Sequence, residues 1–200
     1  MNNNNSSKQV LISILGVAIL VVAIVGISFA AFSYSKTGTV ANTITTGTIT
    51  MSYTEPTNGI NLTDALPITD TAGKALTGNN NTFDFTVAAT ISGSTTINYA
   101  ITAVKGDGST VADSGVKVYL TDQKDAQILA PTKVTALSKT ASDNAAGAPA
   151  GQYVLKTGTY TAAKTEKYRL RMWVADDYAA PATSQKYILK VNVYGKANAK

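Results

Sequence analysis

Between Val10 and Ala31 the chain reads VLISILGVAILVVAIVGISFAA, apolar throughout and without a charge. Beyond it the pattern changes to a period of two, which places alternate side chains on opposite faces of a strand. Phe32-Ser33-Tyr34-Ser35 alternates, and Lys36 to Asn42 is loop-like. Thr43 to Tyr53 alternates with Ile49, Met51 and Tyr53 on one face, and Gly47 reads as a bulge position. Pro56 to Gly59 reads as a turn, and Ile60 to Ile68 as a short irregular segment. The clearest strand is Asn81 to Ile91, with Phe83, Phe85, Val87, Ala89 and Ile91 on one face. Ser92-Gly93-Ser94 then turns the chain into Thr96 to Val104, where Ile97, Tyr99, Ile101 and Ala103 align. These two runs are expected to pair as adjacent antiparallel strands. Val116, Val118 and Leu120 mark another strand, and Lys133 to Leu137 a weaker one. Ser138 to Gly151, rich in Ala, Ser, Gly and Asn, is expected to be an exposed connection. The pattern resumes in Gln152 to Tyr160. Tyr168, Leu170, Met172 and Val174 then alternate with Arg169, Arg171 and Trp173, and Tyr187, Leu189, Val191 and Val193 close the series.

No helix longer than a turn or two is evident after Ala31. About eight strands with one apolar face each imply an all-β protein of two sheets packed face to face. Periodicity does not separate a plain sandwich from a jelly roll; a jelly-roll-like sandwich is the expectation adopted. The organisation expected is a leader at 1–31, an N-terminal segment at 32–42, a β-sandwich at 43–196 and a disordered tail at 197–200.

At about 1.5 Å per residue, the apolar run spans roughly 33 Å as a helix, enough for a bilayer core. Lys8 on its N-terminal flank places that end in the cytoplasm and the rest of the chain outside. One reading is a signal peptide cut at Ala30 or Ala31, where small residues suit a signal peptidase. The other is an uncleaved membrane anchor, since the run is long for a signal peptide. Cut after Ala31, Phe29 falls at the third position back, which an ordinary peptidase disfavours.

Composition narrows the chemistry. The 200 residues contain no cysteine and no histidine. Disulfides, thiolate nucleophiles, Cys/His zinc sites and Ser-His-Asp triads are therefore excluded. Only 14% of residues are charged, and the net charge of +5 is scattered. It predicts no nucleic-acid groove. Asp176-Asp177 is a conceivable calcium pair, but no DxDxD-type loop accompanies it, and a solvated strand-end turn is the simpler reading. Asp122 and Asp125 are ordinary loop acids. Arg169, Arg171 and Trp173 form a stripe able to hold a polymer or partner through charge and cation–π contacts, against the simpler reading of an outward polar face. Asn61-Leu62-Thr63 matches a glycosylation acceptor, a frequent chance pattern in such a chain. No phosphate loop, SxxK motif or LPxTG-like sorting signal is present. Neither catalytic activity nor a cofactor is implied.

The junction and the strands beyond it carry a resemblance. SFAAFSYSKTGTVANTITTGTITM (Ser28 to Met51) resembles the N-terminal region of the TasA/camelysin family, where an apolar leader ends in an Ala-Ala-Phe-type junction before a polar spacer and a T-x-x-x-G-x-[IL] strand. Here that strand is Thr43-Ile44-Thr45-Thr46-Gly47-Thr48-Ile49. INLTDALPITDTAGKAL (Ile60 to Leu76) is similar to a further family segment, with the proline directly after Leu66. EKYRLRMWVADDY (Glu166 to Tyr178) looks like the family's late Y-x-L-[RK]-x-W strand. Ser138 to Gly151 has no obvious counterpart. The resemblance implies a secreted jelly-roll subunit released by a dedicated signal peptidase, which would explain Phe29. It also implies assembly with copies of itself, with other matrix proteins as candidate further partners, into extracellular fibres of a biofilm matrix. Some members carry a metallopeptidase label, which a chain without histidine does not support.

Fibre formation also has a physical basis in the residues. A sheet edge with unpaired N–H and C=O groups is a template for another strand. A freed segment Phe32-Ser33-Tyr34-Ser35-Lys36 is a candidate donor strand for the edge of a neighbour. Phe32 and Tyr34, two apart, would share a face. Such a contact is head-to-tail and propagates as a filament. The alternatives are that residues 32–40 are a flexible linker, and that the protein is a membrane-anchored monomer, held by residues 10–31, for adhesion or ligand binding.

Overall fold

The computed structural model describes residues 33–37, 42–46, 49–55, 60, 62–63, 65–78, 81–91, 95–179 and 185–198, all within one compact unit, Ser33–Lys200. The leader, its Ala30–Ala31 junction, Phe32, Asn61 and the turns expected at 56–59 and 92–94 lie outside the described residues.

The strands are β1 (Ser33–Thr37), β2 (Asn42–Thr46), β3 (Ile49–Thr54), β4 (Leu62–Thr63), β5 (Thr82–Ile91), β6 (Thr96–Lys105), β7 (Val116–Asp122), β8 (Gln127–Lys133), β9 (Tyr153–Tyr160), β10 (Lys164–Val174), β11 (Lys186–Tyr187) and β12 (Leu189–Asn198). A five-residue helix, α1 (Asp70–Lys74), lies between β4 and β5. The strands form an all-β sandwich of two antiparallel sheets. The four-stranded sheet has the order β1-β12-β6-β9, and the six-stranded sheet β2-β3-β5-β10-β7-β8. β4 and β11 pair as a small ribbon beside them.

The alternation read from the sequence is what builds the core. Phe85, Val87 and Ala89 of β5 and Tyr168, Leu170 and Met172 of β10 are buried, as are Ile97, Tyr99, Ile101 and Ala103 of β6 and Val191 and Val193 of β12. Phe85 sits between Tyr53, edge-on at 5.8 Å, and Tyr168, stacked at 5.2 Å. Such aromatic pairs add about 0.5–1.5 kcal/mol each beyond the area they bury. A Cβ on Gly195 would lie 2.3 Å from Met51 Sδ on the opposing sheet, so β12 approaches that closely only because the residue is glycine.

The expected pairing of Asn81–Ile91 with Thr96–Val104 is wrong. β5 pairs with β3 and β10, and β6 with β12 and β9, so the two strands lie in different sheets. Two strands that face each other across a core show the same alternation as two that lie side by side, and periodicity cannot tell them apart. β2 pairs antiparallel with β3, with Thr46 opposite Ile49, and Gly47, expected as a bulge position, lies outside the described residues. The weak strand expected at 133–137 lies earlier, as β8, followed by a 3-10 turn at Val134–Ala136. Pro131 in its middle hid it, and β8 is an edge strand, where proline is tolerated. β12 extends to Asn198, two residues into the expected tail, and Tyr187 belongs to β11.

Candidate functional site

Three places bring polar chemistry together. The first is the free side of β12. Ser33, Tyr34, Ser35 and Lys36 of the candidate donor segment lie in β1, with Ser33 opposite Lys196, Tyr34 opposite Gly195, Ser35 opposite Tyr194, Lys36 opposite Val193 and Thr37 opposite Asn192. The segment is therefore strand, paired within its own chain, at one edge of the four-stranded sheet. Asn192 is fully buried. Its Nδ2 donates to Gln152 Oε1 at 3.3 Å, while its Oδ1 has no partner.

The outer face of this sheet is covered by Ser138–Gln152. The neck of that loop is closed by Thr140 N donating to Gln152 O at 2.8 Å and Val154 N to Ser138 O at 2.8 Å. Asn144 holds its tip, donating to Ala141 O and Ala148 O and accepting from Ala148 N. Ala146 and Ala148 pack on Ala100 and Tyr194, so part of the segment expected to be exposed is buried. Beside it runs a groove of about 420 Å³ lined by Asn98, Ala100, Asn144, Val154, Thr157 and Thr159 among others.

The second place is Glu166, in phase with Tyr168 and Leu170 on the inward face of β10. Its Oε2 accepts from Tyr168 at 2.5 Å, Tyr160 at 2.8 Å and Tyr99 at 3.2 Å, and Lys164 Nζ lies 2.8 Å from Oε1. Tyr99 and Tyr160 stack at 4.3 Å. Burial pushes the Glu166 carboxyl up, but the hydrogen bonds from Lys164, Tyr168 and Tyr160 and the charge of Lys156 outweigh it and bring its pKa down to about 2. Burial, then the hydrogen bond to Glu166, drives Tyr160 and Tyr168 strongly upward. Asp113 is a smaller version of the same arrangement: it accepts from Tyr153 at 2.5 Å and Tyr187 at 3.1 Å, with Lys105 at 3.1 Å. The Glu166 cluster ties β10 to β6 and β9 of the opposite sheet, whereas Asp113, in a 3-10 turn at Asp113–Gly115, links β6 and β9 to the β11 ribbon. A carboxylate held this far down and a phenol held this far up make a poor general base and a poor acid at neutral pH.

The third is the arginine stripe. Arg169 makes a bidentate pair with Asp84, at 2.9 and 2.8 Å. Arg171 is 2% exposed and donates to Leu76 O, Thr121 Oγ1 and, at 2.6 Å, Asp125 Oδ1. Asp125 takes φ of 62°, the left-handed region that Asp enters more readily than most residues. The Arg171 hydrogen bond holds its carboxyl below the usual range, against a smaller opposing effect of burial. Trp173 is 1% exposed, because Gly73 of α1 lies on its ring; a Cβ there would come within 2.3 Å of the indole. Thr69 starts α1 by accepting from Ala72 N at 3.3 Å. Arg171 and Trp173 are thus held inside the fold, beneath the segment that carries α1, and are not presented as a polymer-binding stripe.

Among the described residues no group of three or more acidic side chains is arranged to hold a metal ion. Asp177 instead pairs with Lys133 at 2.6 Å, and Asp176 lies 3.7 Å from Lys117. Asp122 accepts from Lys124 N and Ala126 N, as a turn acid. Also among the described residues, no helix is long and apolar enough to cross a membrane. The sequence reading missed Glu166 and Asp113 as hubs. The available signal for Glu166 was an acid in the apolar phase of a strand. No protein-family model, curated protein or solved structure matches the chain.

Proposed function

We propose that this chain is a secreted, non-catalytic structural subunit of the TasA/camelysin type, assembling into cell-surface or biofilm-matrix fibres by adding its N-terminal strand to the next copy. The observation that carries the reading is β1, a short strand at the start of the described domain that occupies the outer side of β12. A strand in an edge position near one end of the domain is the geometry that strand addition uses. The order β1-β12-β6-β9 facing β5-β10-β7-β8, with the β2–β3 hairpin added at one side, supports the finer reading of the sandwich as a jelly roll.

In this reading residues 1–31 are a signal peptide processed at Ala30 or Ala31 by a dedicated signal peptidase. The protein then has itself as principal partner, with other matrix proteins as candidates for co-assembly. N-terminal sequencing of the extracellular form should begin at Ala31 or Phe32, and negative-stain microscopy should show fibres. Deleting Phe32 to Lys36 is expected to leave a folded domain that does not elongate; normal fibres from that deletion would remove the donor role. A second reading is favoured by the same strand: paired with its own β12, it completes a monomer. That monomer would be a membrane-anchored surface domain for adhesion or ligand binding, with an intact leader in the membrane fraction.

A further inference from the structure

In the six-stranded sheet β10 runs on past the end of its neighbour. It pairs with β5 from Lys164 to Arg171, but with β7 only from Tyr168 onward, because β7 ends at Asp122 and the chain turns into β8. Asp122 N donates to Ala126 O across that turn at 3.0 Å. The backbone of Asp122 therefore faces β8, and its pair with Tyr168 is a non-hydrogen-bonded one. By alternation, Thr165 and Lys167 turn their N–H and C=O groups to the side where β7 has ended. A pocket of about 550 Å³ opens there, between β10, the β7–β8 turn and Lys156 of β9. That volume is within the range of small-ligand sites.

Three lysines line the pocket. Lys124 and Lys167 are exposed, and among the described residues their ammonium groups have no partner. Lys156 is held in place: its Nζ donates to the Tyr168 hydroxyl at 2.9 Å, lies 3.6 Å from Glu166 Oε2 and sits 4.8 Å from the centre of the Tyr168 ring. The two acids at the pocket are already engaged. Asp122 accepts from Lys124 N and Ala126 N of its own turn, and Glu166 accepts from Tyr168 and Tyr160 and pairs with Lys164. Counted with Lys164, four ammonium groups stand against two carboxylates. Gln123, Gln127 and Thr165 add amide and hydroxyl groups that both donate and accept.

We infer that this pocket binds a carboxylated sugar, with Lys124 and Lys167 on the carboxylate and Gln123, Gln127 and Thr165 on the ring hydroxyls. Ammonium groups and outward N–H groups are donors only, so they suit an anion, and charge-assisted contacts of this kind are the stronger ones. The neighbouring amides and hydroxyl suit a ligand that both gives and takes hydrogen bonds. The open length of β10 is too short to hold an added strand of ordinary length, which favours a compact ligand. The site lies on the six-stranded sheet, away from β1 and β12, and stands whether or not the chain assembles.

Calorimetric titration tests this on the full-length chain kept in a non-ionic polyoxyethylene detergent. The probes are tetragalacturonate, monomeric glucuronate, neutral maltotetraose and inorganic phosphate. Tetragalacturonate is expected to bind saturably, one per chain, and more weakly as salt rises. Binding of glucuronate as well identifies a site for the free sugar acid; binding of the oligomer alone identifies a site for the polymer. Lys124→Gln/Lys167→Gln should lower the affinity about tenfold without shifting thermal unfolding. Lys74→Gln/Lys190→Gln removes two exposed charges elsewhere and should change it less than twofold. Should the pocket double variant unfold, the single variants Lys124→Gln and Lys167→Gln carry the same test, at about threefold each. Absence of binding by either acidic probe would overturn the inference. So would equal losses in the pocket and control variants, equal binding of maltotetraose, or displacement of the sugar by an equal concentration of phosphate.

Discussion

Glu166 is the residue on which most of the polar interior converges. Three phenols and two lysines surround it, and its side chain is 17% exposed. Its pKa falls from an ordinary 4.5 to about 2 in the folded chain. A depressed carboxyl contributes stability that is fully present above its unfolded pKa and lost as pH falls through the folded one. Acid unfolding should therefore set in below about pH 4.5 and deepen toward pH 2, with Asp113, also held low, adding in the same direction. Glu166→Gln keeps the shape but removes the charge that the lysines face. It is expected to cost about 2 kcal/mol at pH 7 and to flatten the pH dependence of urea midpoints between pH 5 and 3. An unchanged acid profile would show that the cluster does not couple to folding.

At the scale of elements, the docking of α1 depends on one missing methyl group. Gly73→Ala is expected to push the helix off the indole and cost about 1–3 kcal/mol, as overpacking does. Trp173 is the chain's only tryptophan, so its emission should move to longer wavelength, as fluorescence would show directly. The position of α1 was not legible in the sequence, whereas the strands beside it were. Phe83 to Ile91 and Tyr168 to Val174 each repeat at a period of two and each bury one face, so their existence followed from the residues alone. What the pattern lacks is the identity of the neighbour. β5 and β6 carry the same signal whether they share a sheet or oppose each other, and Pro131 masks β8. The burial of Trp173 and Arg171 comes from a segment about a hundred residues earlier, and nothing local announces it. The candidate site was half visible: the alternation of Phe32 to Ser35 marked a strand, though Lys36 and Thr37, expected as loop, continue it, and its partner, β12, lies near the other end of the sequence.

For the whole molecule, the pairing of Ser33 with Lys196 joins the first and last described strands. Among the ladders of the two sheets it spans the greatest length of chain, and closing so long a loop carries the largest entropic penalty. The β2–β3 and β7–β8 pairs are close in sequence and can meet early, whereas β1 must wait until β12 is in place. Pulse-labelled hydrogen exchange during refolding should therefore find the amides of β1 acquiring protection after those of β5, β6 and β10. Equal rates would argue against this order. A newly made copy accordingly passes through an interval in which its body is folded and its last strand is still unclaimed. Until β1 docks, the outer N–H and C=O groups of β12 face water on an otherwise folded body, so a chain caught at that stage shows one open sheet edge.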